Sequence, residues 1–75
     1  MYKIIAEQGF TRRERTDLNT FRFSRLSDAV KFVETTMDSI HKVTFEDNQI
    51  VYIGVVSGYS SCIIIKPTKE GGSCA

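Results

Sequence analysis

KVTFEDNQIVYIGVVSGYSSCIIIK, residues 42–66, reads as three consecutive β-strands, and the turns that join them decide what kind of sheet the chain makes. Two polar breaks interrupt a run rich in β-branched and aromatic residues: Asp47-Asn48 and Ser57-Gly58-Tyr59-Ser60. Asp, Asn and Gly tolerate the left-handed backbone that tight hairpin turns require. A two-residue loop at Asp47-Asn48 sets Glu46 against Gln49, Phe45 against Ile50 and Val43 against Tyr52. A four-residue second loop sets Val56 against Ser61, Gly54 against Ile63 and Tyr52 against Ile65.

Residues directly opposite one another share a sheet face. One face therefore carries Val43, Phe45, Ile50, Tyr52, Val56, Ile63 and Ile65, and that face must receive whatever packs on the sheet. The reverse carries Lys42, Thr44 and Glu46 on the first of these strands, but Val51, Ile53 and Val55 on the second and Cys62 and Ile64 on the third. Strands that are apolar on both sides belong in sheets covered on both sides. Within the chain, a first hairpin curled over this face, or a loop length that flips the parity, would account for the pattern. Between chains, self-association into a homodimer or contact with a target protein would do so. Val51, Ile53, Val55, Cys62 and Ile64 are thus a candidate oligomer or partner interface. Gly54, in mid-strand, marks a bulge or a close backbone approach.

Upstream, residues 26–40 place Leu26, Ala29, Val30, Val33, Met37 and Ile40 at helical spacing, with Asp28, Lys31, Glu34 and Asp38 largely off that stripe. This is one amphipathic helix, and either Ser24 or Ser27 is placed to cap its start. His41 then falls at its end, where it would complement the terminal carbonyls. Residues 2–8 and 18–24 alternate as strands, with Phe21 and Phe23 on one side and Arg22 on the other. The expected fold is α+β: a single small domain over residues 1–67 in ββαβββ order, an antiparallel sheet with one amphipathic helix packed on one face. Residues 68–75 read as a flexible C-terminal tail.

A chain of 75 residues holds one small core, which contributes only about 3 to 5 kcal/mol and leaves little margin for a large active-site cavity. The 41% apolar and 25% charged composition is that of a globular protein, and no apolar run is long enough to span a membrane as a helix. With no basic-then-apolar leader after Met1, the expected location is cytoplasmic and no membrane partner is expected. Cys62 and Cys74 are expected as free thiols, since secreted disulfide scaffolds usually carry four or more cysteines.

Catalytic chemistry is sparse. His41 is the sole histidine, so neither a zinc set nor a Ser-His-Asp triad can be assembled economically, and the glycines match no phosphate-loop spacing. The sequence implies no catalytic residue, no metal site and no cofactor. The helix carboxylates read as a solvated face.

The polar stretch that remains is GFTRRERTDLN, residues 9–19, whose first nine residues, between the two expected strands, are expected as the tip of the first hairpin. Net charge is only +1, but residues 1–25 hold six Lys and Arg against three carboxylates, while the remainder is acidic. Phe10, Arg12, Arg13, Arg15, Arg22 and Arg25 form a candidate macromolecule-binding group: guanidinium forks suit phosphates and carboxylates, and Phe10 could stack on an unpaired base. A solvated tip, a grip for RNA or single-stranded nucleic acid, and a dock for an acidic protein patch all fit it. The reading that follows is a non-enzymatic small binding protein, an inhibitor or modulator of a larger macromolecule acting by protein-protein contact. Such a build is expected of a small regulator, and short inhibitors encoded by phages and mobile elements share it, an analogy at the level of class. The alternative is RNA or single-stranded nucleic-acid binding through Arg12–Arg15.

Overall fold

The run of residues 42–66 forms three consecutive strands of one sheet. In the computed structural model, which describes residues 1–68, the chain runs β1 (Tyr2–Ala6), α1 (Arg12–Leu18), β2 (Arg22–Phe23), α2 (Leu26–Thr36), β3 (Ser39–Glu46), β4 (Gln49–Val56) and β5 (Tyr59–Pro67). The five strands form one antiparallel sheet in the order β2-β1-β5-β4-β3. The class is α+β as expected, with one more helix than expected, so the order is βαβαβββ.

Both hairpin turns have two residues. Asp47 and Asn48 lie at φ 50° and 64°, and the β3–β4 register is the expected one, with Glu46 on Gln49, Phe45 on Ile50 and Val43 on Tyr52. The second turn is Ser57-Gly58, at φ 52° and 84°, and not the expected four residues. Val56 therefore faces Tyr59, Gly54 faces Ser61 and Tyr52 faces Ile63. The slip against expectation is two residues, and because the side-chain period of a strand is two, every residue keeps its expected face.

The stretch expected as a nine-residue hairpin tip is helix α1. Its start is a reciprocal cap, with the Glu14 amide donating to Thr11 Oγ1 at 3.1 Å and the Thr11 amide donating to Glu14 Oε1 at 2.8 Å. The pattern Thr-x-x-Glu is a helix start. It leaves β2 only two residues long, paired through Phe23 with Tyr2 and Arg22 with Lys3. Phe21 and Phe23 close on Phe32 of α2, with ring centroids 4.8 and 5.3 Å from it.

Helix α2 ends four residues earlier than its apolar spacing implies. Neither Ser24 nor Ser27 is its N-cap; that position is Arg25, which makes no side-chain capping bond. At the other end, the Asp38 amide donates to the Val55 carbonyl at 2.9 Å, and the Asp38 carboxylate accepts from the Ser57 amide at 2.8 Å. The chain is thereby drawn onto the β4–β5 turn. Asp38 is a turn anchor and not part of a solvated helix face. Ile40 and His41 belong to β3, with a bulge between Ile40 and Lys42, so His41 caps no helix.

Ile4, Ala29, Val33, Met37, Ile50, Tyr52, Ile63 and Ile65 form the core, and Leu18 of α1, Val30 and Phe32 of α2, and Phe10 just before α1 pack against it. Both helices thus lie on the same side of the sheet. Burying one such aliphatic side chain contributes about 1.5 to 3 kcal/mol. Thr68, expected as the first tail residue, donates its amide to the Met1 carbonyl at 2.9 Å, while the rest of the expected tail, including Cys74, lies outside the described residues.

Candidate functional site: the bare face of the sheet

Alternation along β1, β4 and β5 turns Ile4, Ile50, Tyr52, Ile63 and Ile65 inward, so their neighbours must point the other way. The pairings set those neighbours in rows across the sheet. Arg22, Lys3 and Lys66 make a basic row at one end. Next come Ile5, Ile64, Val51 and Thr44, and then Cys62, Ile53 and Lys42. Ser60, Val55 and Ser39 close the other end.

The structure therefore gathers all five residues expected at an interface, Val51, Ile53, Val55, Cys62 and Ile64, into one patch. Ile5 belongs to it too. Ile5 lies outside the set expected from sequence because that set follows from the registers of β3 to β5, whereas Ile5 joins it through its pairing with Ile64. The patch is bordered by cations at one end, by Lys42 and Thr44 along β3, and by serines at the other end. Ile53 is 43% exposed, and Val51, Val55, Cys62 and Ile64 are half-buried by their neighbours in the sheet. The first pair of strands, expected to curl over this face, lies in the sheet instead, with β1 between β2 and β5, and among the described residues both helices pack on the opposite face. Cys62 holds a free thiol in the middle of the patch; burial, and then the negative charge of Glu7, push its pKa up. The Glu7 amide donates to the Cys62 carbonyl at 2.9 Å, which places that carboxylate's residue beside it.

The candidate basic group is distributed over several elements. Arg12, Arg13 and Arg15 are exposed on α1 and spread over roughly 160° of its circumference at 100° per residue. Arg22 lies on the outer sheet face, its guanidinium donating to the Asn19 and Phe21 carbonyls at 2.6 and 2.9 Å. Arg25 stands at the start of α2. Phe10, expected to be open for stacking, packs against the core and lines a shallow cleft with Glu14, Val56 and Tyr59.

Among the described residues no three His, Cys, Asp or Glu side chains gather where they could hold a metal, and no helix is long and apolar enough to cross a membrane. In comparisons with known proteins, no family model, curated protein or solved structure matches the chain.

Proposed function

We propose that this chain is a non-enzymatic binding protein whose outer sheet face docks on another protein, as an inhibitor or modulator of a larger macromolecule. The observation that carries this reading is the patch of Ile5, Val51, Ile53, Val55 and Ile64, aligned across three neighbouring strands, over which no helix packs among the described residues. An antiparallel sheet that faces water on one side normally alternates apolar and polar residues. Here β4 and β5 break that alternation where covering them would remove most apolar area from water. Burying four such side chains contributes on the order of 6 kcal/mol before the costs of association. Cations at one end of the patch orient an acidic partner surface.

Ile53→Lys tests the reading, because Ile53 is the most exposed residue of the patch and its replacement leaves the inner core untouched. The variant should melt like the wild type and lose a protein partner that the wild type retains after nuclease treatment. Retention that disappears with nuclease, and with the triple change of Arg12, Arg13 and Arg15 to Ala, would move the site to α1 and to nucleic acid. In that case each phosphate contact on a single strand adds roughly 0.7 to the salt slope of binding.

A further inference from the structure

The regular part of β3 is the run Lys42–Glu46, bounded by the bulge after Ile40 and by the Asp47-Asn48 turn. It lies at the edge of the sheet. In a hairpin closed by a two-residue turn, the residues flanking the turn bond to each other and the pairs alternate from there. Glu46, Thr44 and Lys42 therefore direct their backbone groups at β4, while those of Phe45 and Val43 point outward. The side chains of the same two residues are bare. Phe45 is 75% exposed and Val43 42%, on the inner face but beyond α2, which sits over β1, β2 and β5.

From this geometry we propose that the protein forms a two-fold symmetric dimer in which β3 pairs antiparallel with β3 of a second copy, centred on Thr44. That register sets Val43 opposite Phe45 of the second copy and Phe45 opposite Val43. These are the residues whose N–H and C=O groups point outward, so the two pairs supply about four backbone hydrogen bonds. On the inner face the bare Val43 and Phe45 side chains cover each other. On the outer face Lys42 meets Glu46 of the second copy, and Glu46 meets its Lys42, two opposite-charge cross-strand pairs. Thr44 faces itself across the axis.

Other registers lose these matches. Centring on Val43 sets Phe45 against His41 at the bulge and Glu46 against Ile40, with no charge pair. The bulge bends the strand before Lys42, which confines pairing to the five-residue run of which Thr44 is the midpoint. A lysine on an edge strand ordinarily deters pairing. Here the same strand carries, four residues on, the carboxylate that answers it in a second copy. The dimer uses the edge and leaves the outer face free, so it stands independently of the proposed docking by that face.

Sedimentation equilibrium over roughly 10 µM to 1 mM, with charge-swap variants of the full chain, tests the proposal. Lys42→Glu alone, or Glu46→Lys alone, puts like charges opposite at both symmetric positions and should weaken dimerisation about tenfold or more. Both changes in one chain, or an equimolar mixture of the two single variants, restore opposite charges and should restore the dimer. Ile64→Lys, two strands from the edge, should leave it intact. Thr44→Cys in a chain with Cys62→Ser and Cys74→Ser should form a disulfide between copies under mild oxidation, since non-hydrogen-bonded pairs bring Cα atoms to about 4.5 Å. A wild type that stays monomeric throughout that range overturns the proposal, as does a dimer that both single swaps leave unchanged.

Discussion

Thr11 and Glu14 cap each other, the hydroxyl of one accepting the amide of the other at 3.1 Å and the carboxylate returning the bond at 2.8 Å. This exchange turns an arginine-rich loop into a helix and so sets how Arg12, Arg13 and Arg15 are presented. The helix has only seven residues and none of them is buried, so its start depends heavily on the cap. Thr11→Ala should lower the stability of the fold by about 1 kcal/mol in chemical denaturation. Glu14→Gln, which keeps an oxygen acceptor, should cost less. Equal losses would mean that charge at the helix start matters more than the bond itself.

Gly54 and Gly58 separate two reasons for a glycine. At Gly54 a Cβ would run into the Ser39 carbonyl oxygen and the Ile40 Cα, backbone that is held by the bulge and by the neighbouring Asp38 anchor. At Gly58 the surroundings are open but φ is +84°. Gly58→Ala should therefore cost only the strain of a left-handed residue, about 1 kcal/mol. Gly54→Ala should cost about 2 to 3 kcal/mol, since packed backbone has to move. Comparable denaturation midpoints for the two variants would contradict the close approach at Gly54.

Alkali should loosen the fold through two groups. Burial and then the charge of Glu7 raise the Cys62 thiol above its ordinary value of 9.0, and burial and then the charge of Glu34 raise the Tyr52 hydroxyl above 10.0. Both groups hold their protons more firmly folded than unfolded. The stability they contribute is complete below those ordinary values and is lost as pH rises through the higher folded ones. Denaturation midpoints should stay level to about pH 9 and fall beyond it, and Cys62→Ser should remove the earlier part of the fall. A decline that Cys62→Ser leaves unchanged would assign the whole effect elsewhere.

The sequence by itself determined the sheet's two faces. Alternation is a local property with a period of two, and the even slip at Ser57-Gly58 could not disturb it, so Ile50, Tyr52, Ile63 and Ile65 turned inward and Val51, Ile53, Val55, Cys62 and Ile64 outward as their spacing required. Ser57-Gly58 was readable as a two-residue turn from the dipeptide itself, and Thr11-x-x-Glu14 as a helix start. The polar Ser60 lengthens the apparent second turn past Gly58, and the alternation of residues 2–8 and 18–24 gives the segment between them the look of a hairpin tip.

Tertiary structure alone decided where α2 stops and what stays bare. Its apolar stripe continues in helical register to Ile40, but the Asp38 amide and carboxylate are taken by Val55 and Ser57, residues 17 and 19 positions away, and no local propensity encodes partners that distant. The same holds for Val43 and Phe45. Their spacing assigns them to the inner face, where they do lie, but the strand order puts β3 at the edge while α2 covers β1, β2 and β5 of that same face. Exposure depends on which elements end up as neighbours, a sum over the whole fold, whereas facing depends only on the geometry of one strand.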